Sequence, residues 1–308
     1  MSFKEIFIDP WDIHFAAYWP ILVMSFFVTA ACGLVGNYLV LRKISLVGDA
    51  ISHSVLPGIA IAYMIAGSRS DLPMFIGALI AGILTTLIIE LIHSRSKIKQ
   101  DAAIGITFTT MFAIGVILVS VYGADTDLDL DCVLFGKLDF IASKEKVFLG
   151  LPQIVLTMGI ILIAIVFLIV LFYKELLVSS FDPNFAATLG IKPRFVHYCL
   201  MCSLSVVVVS AFSSVGAILV IAMLILPAAT VYLLTDKLWL MMILSVVHSF
   251  LSSMIGLHLT IALQVSTAPA CVVAGMSLFI TTWIISPKYG LLRHFSNSFD
   301  LSTFQKEN

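Results

Sequence analysis

Asp49 and His53 stand four residues apart in the stretch Arg42 to Gly58, which opens an apolar segment long enough to cross a membrane. On a helix that spacing puts the carboxylate and the imidazole on one face, one turn apart. Ionisable side chains in a membrane segment are costly, and they turn toward a bundle interior, a partner or a pathway. A carboxylate with an imidazole is also half of a ligand set for a borderline divalent cation. The plainer alternative is an ion pair that fixes helix packing.

The elements that must position this pair follow from composition. The 308 residues are 60% hydrophobic and 11% charged, with a mean hydropathy of +1.10. Soluble globular chains are about 25% charged. A packed core alone cannot absorb so much apolar sequence, so the chain is expected to be an all-α, polytopic transmembrane helical bundle. At about 20 apolar residues per crossing, spans are expected near 17–41, 46–66, 72–93, 101–122, 150–173, 195–212, 214–234, 239–260 and 267–286, nine in all. Only Ser213 and Ser214 separate 195–212 from 214–234, so this pair reads either as a tight hairpin or as one broken helix.

Twelve of the 17 lysines and arginines fall on one set of connections. The positive-inside rule then places the N-terminus outside and the C-terminus in the cytoplasm. The chain thus reads as a single transmembrane domain, 1–308, with an external segment 1–16, a cytoplasmic loop 174–194 and a cytoplasmic tail 287–308. An acidic start (Glu5, Asp9, Asp12) is unlike a secretory signal. A net charge of −1 gives no bulk electrostatic case for nucleic acid. The five cysteines form no disulfide framework, and Cys199 with Cys202, in an apolar run, reads as buried inert thiols.

Other polar groups are weighed in turn. Asp125, Asp127, Asp129 and Asp131 resemble a calcium loop until the required glycine proves to be Leu130 and the required glutamate Gly136. In the loop 174–194, Phe181-Asp182-Pro183-Asn184-Phe185 through Gly190 reads as a complete short helix. Asp182 is its N-cap, Pro183 its first helical residue and Gly190 its stop. That helix either lies on lipid or docks a cytoplasmic partner. His248 and His258 fall roughly on one face of 239–260, which leaves a second ligand role open beside ordinary interhelical hydrogen bonding. Glu90, near the inner end of its span, is expected to snorkel or to pair with Lys or Arg. His14, His93, His197 and His294 carry no assignment. No G-x-x-x-x-G-K-[ST] loop occurs, so any use of ATP must be borrowed from another chain.

Four blocks carry a resemblance. They are Leu-Arg-Lys-Ile-Ser-Leu-Val-Gly-Asp-Ala-Ile-Ser-His-Ser-Val-Leu-Pro-Gly (41–58), Asp-Ala-Ala-Ile-Gly-Ile (101–106), Leu-Phe-Gly (134–136), and Phe-Asp-Pro (181–183) together with 214–220 and 226–230. With these the chain resembles the membrane permease subunit of ATP-binding-cassette importers for zinc, manganese or iron. The resemblance implies a multi-pass protein of a prokaryotic cell membrane with no permanently bound cofactor and no enzymatic activity of its own. It implies as partners a second permease copy or paralogue, a cytoplasmic ATP-binding-cassette ATPase, an external metal-binding receptor and membrane lipid. Segment 181–190 would be the coupling helix, with Phe181, Asp182, Pro183, Asn184, Phe185 and Gly190 its defining residues. Asp49 and His53 would line the path of the transported ion, although their span places Asp49 near its cytoplasmic end. The run Gln264 to Pro269 departs from the acidic, Pro-x-Gly-Pro turn common in such permeases. A permease for chelated metal and a secondary transporter independent of ATP are the alternatives.

Overall fold

The computed structural model describes residues 15–66, 71–122, 138–143, 146–148 and 150–286, with Gly290. The external segment up to residue 14, the aspartates 125–131, the block 134–136, His14, His294 and nearly all of the tail lie outside the described residues.

The chain forms α1 (Phe15–Leu41), α2 (Val47–Ser54), α3 (Leu56–Ala66), α4 (Asp71–Arg95) and α5 (Gln100–Tyr122). A short 3-10 helix (Leu138–Ser143) and a two-stranded antiparallel ribbon, β1 (Lys146–Phe148) with β2 (Leu151–Pro152), precede α6 (Gln153–Leu171) and α7 (Tyr173–Phe181). Then follow α8 (Pro183–Thr188), α9 (Pro193–Val215), α10 (Ala217–Tyr232), α11 (Leu238–Leu263) and α12 (Thr267–Ile285). Among the described residues, eight helical segments are long and apolar enough to cross a membrane, with α2 and α3 counted together as one. The ninth expected span is α10, an apolar helix shorter than a full crossing.

Helix α1 is the centre of the bundle, buried along most of its length and packed against α10, α11 and α6. Lipid tails are as apolar as leucine, so close backbone approach and polar contacts must hold the helices together. Both are present. A Cβ on Gly36 would run into the Leu224 carbonyl of α10, and Gly58 and Gly77 bring α3 and α4 backbone to backbone. Asn37 of α1 donates to Ser245 of α11 at 2.9 Å and accepts from the same hydroxyl at 3.1 Å. Thr29 and Ser253 share a hydrogen bond of 3.2 Å further along the same two helices.

The segment 195–234 resolves as a hairpin. The break falls at Gly216, whose φ of 83° is a conformation a glycine tolerates and a serine would not, rather than at Ser213 and Ser214. The start of α9 and the end of α10 lie at the same end of the bundle. His197 meets Arg42 there, and the Leu233 carbonyl accepts from Ser286 just after α12. At that end Leu41, Ser180, Phe181, Tyr232, Asp236 and Met241 surround a cleft of ≈ 380 Å³. The expected loop 174–194 is itself largely helical, since α7 continues α6 after a one-residue break at Phe172.

Candidate functional site

Helix α1 ends at Leu41 in a Schellman turn. Ile44 N–H donates to the Leu39 carbonyl at 2.9 Å and Lys43 N–H to the Val40 carbonyl at 3.1 Å, with Lys43 at φ 59° in the seat glycine normally takes. Ile44 and Leu39 are both buried, which supplies the apolar contact of this motif. The turn launches α2, and α2 carries Asp49 and His53. Pro57 has no N–H for the carbonyl of His53, so the helical ladder is interrupted there and the helix restarts as α3.

The pair is formed as its spacing requires. His53 Nε2 lies 3.4 Å from Asp49 Oδ1, and the two side chains are 38% and 39% exposed on the isolated chain. Phe108 and Phe112 of α5 flank the imidazole, with ring centroids 6.1 and 5.9 Å away. These phenylalanines lie about 12–18 Å along α5 from its start at 1.5 Å per residue. His53 therefore sits beside the middle of a spanning helix, with Asp49 one turn nearer the Arg42 end, which is deeper than the boundaries of their own span led one to expect. The physical reason is the turn after α1, which is sunk into the bundle. Arg42 lies level with Glu90 and His197, each roughly 6–8 Å inside the end of its own helix.

Glu90 pairs with His197, at 3.1 Å, and not directly with a lysine or arginine. His197 in turn meets Arg42 at 3.2 Å, and Arg42 also donates to Ser179 at 2.8 Å and Ser180 at 3.1 Å. Burial pulls the Arg42 guanidinium below its usual pKa. The sequence carried no signal for this cluster, because its members come from four separate helices or their ends. Among the described residues, no group of three or more His, Cys, Asp and Glu side chains is placed to hold an ion. One chain thus brings together at Asp49 and His53 only two side chains of ligand type, short of what a transition metal needs.

His248 and His258 are not brought together. About 15 Å of helix separates them. His248 is buried, facing the Gly275 backbone without closing a hydrogen bond, while His258 is half-buried near the far end of α11.

The short helix α8 has the caps its residues call for. Asp182 Oδ1 accepts from Asn184 N–H at 3.0 Å and Phe185 N–H at 2.9 Å, and Pro183 opens the helix. At the other end Gly190, at φ 80°, closes a second Schellman turn through Gly190 N–H to Ala187 and Ile191 N–H to Ala186. Phe181, the last residue of α7, and Phe185 of α8 stay 57% and 53% exposed, so the two aromatic rings flank the Asp182 cap at the same end of the bundle as Arg42.

Comparison with known proteins gives a consistent picture. The family model described as ABC 3 transport family matches residues 15–286. The manganese transport system membrane protein MntD of Bacillus subtilis (strain 168) is 41% identical over 275 residues, covering 88% of this chain and 93% of that protein. The zinc transport system membrane protein TroD of Treponema pallidum (strain Nichols) is 41% identical over 275 residues, covering 89% of this chain and 75% of that protein. Among solved structures, PsaBC from Streptococcus pneumoniae in complex with Fab superposes with a TM-score of 0.77 at 36% identity, over 95% of this chain and 99% of the matched one.

Proposed function

The chain belongs to the ABC 3 transport family, and from that premise we propose that it is the multi-pass membrane permease of an ATP-driven bacterial importer for manganese, zinc or iron ions, with Asp49 and His53 as ligands along the path. The observation that carries the site is the pair itself. A carboxylate about two-fifths exposed in mid-span cannot face lipid cheaply, at roughly 2.5–3.5 kcal/mol for a charge at the helix centre. Water in a pathway or a second protein must cover it. A second permease copy meeting this face, in the manner of a two-fold dimer, turns one carboxylate and one imidazole into two of each. That mixed nitrogen and oxygen set suits manganese, iron or zinc better than magnesium or copper(I).

The orientation follows from the lysine and arginine bias. The Arg42 end of the bundle is cytoplasmic, and α8 there is the coupling helix, its exposed Phe185 and the neighbouring Phe181 at the end of α7 set against a cytoplasmic ATPase. An external receptor protein delivers the ion at the opposite end. The ion is cargo, bound in passing, and hydrolysis of ATP takes place on the partner subunit.

The test is uptake of radiolabelled manganese, zinc and iron into proteoliposomes holding this chain with its ATPase and receptor. ATP-dependent uptake of one ion, lost in Asp49→Ala and His53→Ala chains that still assemble, is the expected result. Uptake without ATP would turn the reading toward a secondary transporter. Uptake that survives both substitutions would reduce the pair to an ion pair that packs helices.

A further inference from the structure

The Arg42 cluster joins the two ends of the proposed mechanism. On the backbone side, Arg42 is the residue at which α1 hands over to its Schellman turn, and that turn bonds into α2 through Val47 N–H to the Ile44 carbonyl at 3.1 Å. Asp49 follows Arg42 by seven positions, through a hydrogen-bonded turn and the first residues of α2. On the side-chain side, the guanidinium fork donates through Nη2 to Ser179 and through Nε to Ser180. Those serines lie in the last turn of α7, three and two residues before Asp182, the cap of α8. Arg42 therefore joins the turn that leads into α2, through its backbone, to the last turn of α7 that leads into α8, through its side chain.

His197 and Glu90 fix that side chain in place. A guanidinium offers only donors, so Nδ1 of His197 must accept from Arg42, and the proton sits on Nε2 facing Glu90 Oε2 at 3.1 Å. A neutral imidazole is thus wedged between a cation and an anion. Histidine and glutamate are only 19% and 18% exposed, so neither has bulk water as a ready substitute partner. Removing one member of such a buried set strands the rest. The set therefore passes on a displacement of α7 and α8 and does not absorb it.

We propose that Arg42, His197 and Glu90 are positioning residues that carry the displacement of the coupling helix to the Asp49–His53 pair. The inference rests on the reading of α8 as an ATPase-docking element and of Asp49 and His53 as ion ligands. Arginine is required because its three partners are met by three different nitrogens, Nε, Nη1 and Nη2, whereas a lysine has one.

The experiment uses the full complex of this chain with its ATPase and receptor in proteoliposomes, with manganese uptake and ATP hydrolysis measured in the same vesicles. Arg42→Gln is expected to retain the ATPase and to hydrolyse ATP, while ions imported per ATP fall about tenfold, a coupling change of ordinary size. Arg42→Lys restores part of that ratio, since it returns the charge without the fork. Glu90→Gln, which keeps the shape of the side chain, gives the same uncoupling should Arg42→Gln fail to assemble. An unchanged ratio in both Arg42→Gln and Glu90→Gln overturns the relay, as does a proportional fall of uptake and hydrolysis. Phe185→Ala separates this from the underlying reading. Loss of bound ATPase in that chain upholds docking at α8, whereas a Phe185→Ala complex that still binds ATPase and transports at full rate overturns docking and the relay with it.

Discussion

His53 and His248 both sit in membrane-spanning helices, and their surroundings are opposite. His53 is 38% exposed on the isolated chain, lies 3.4 Å from Asp49, and stands at a break in its helix. His248 is 5% exposed, has no hydrogen bond to either ring nitrogen, and lies in a helix that continues unbroken through it. Two histidines of membrane-spanning helices are thus told apart by what covers them and not by their residue type. The informative sign is a charged group left uncovered at a depth where lipid would be its only neighbour, because something else must cover it.

The strongest way to break this contrast is to remove each imidazole in turn. His53→Ala is expected to lower the initial rate of metal uptake by at least about tenfold, each decade being roughly 1.4 kcal/mol. His248→Ala is expected to leave uptake close to that of the unaltered chain. Equal losses in the two variants would break the contrast. Thiol labelling sharpens the same contrast without relying on transport. In a chain whose Cys132, Cys199 and Cys202 are serine, Cys32 and Cys271 remain and are fully buried. His53→Cys in that background is expected to react with a membrane-impermeant maleimide in the assembled, ion-free complex, and His248→Cys to stay unlabelled.

What the sequence disclosed divides along the same line. Spans are legible because bilayer thickness sets the length of an apolar run, and α8 is legible because its caps are local chemistry written in Asp182, Pro183 and Gly190. The spacing of Asp49 and His53 foretold their contact, since one helical turn suffices to make it. Their depth was not legible, because it depends on a turn that sinks between α4 and α9 with Arg42 satisfied by residues far along the chain. The partner of Glu90 escaped for the same reason. A rule that pairs acids with lysine or arginine cannot find a histidine delivered by another helix. The end of α1 at residue 41 was legible, but the Schellman turn that makes it was not, since Lys43 occupies a position where a reader looks for glycine.

The seal around His248 can itself be loosened. Gly36 lets α1 touch the backbone of α10, and an added Cβ would strike the Leu224 carbonyl. Gly36→Ala is expected to cost about 1–3 kcal/mol, the range for overpacking a tight interface, read as a lower Tm in detergent. Combined with His248→Cys, it should make that thiol reactive while labelling at position 53 is unchanged. A Gly36→Ala chain of unaltered Tm would mean that the α1–α10 contact carries little of the core.

The smallest effect concerns the hinge between the two regions. Lys43 joins α1, which is part of the sealed core, to α2, which bears the open pair, and it holds φ at 59°. A left-handed conformation costs a side chain about 1–2 kcal/mol that glycine avoids. Glycine returns part of this as extra freedom in the unfolded chain. Lys43→Gly should therefore raise stability by something under 1 kcal/mol, seen as a small increase in Tm, with uptake unchanged. The sign separates two accounts of the turn. If stability rises and transport is intact, the strain is incidental and the hydrogen bonds of the Schellman turn alone set the angle of α2. If stability rises and transport falls, the strained lysine itself holds α2 at the angle that leaves Asp49 and His53 uncovered, and the contrast between the two histidines begins at this residue.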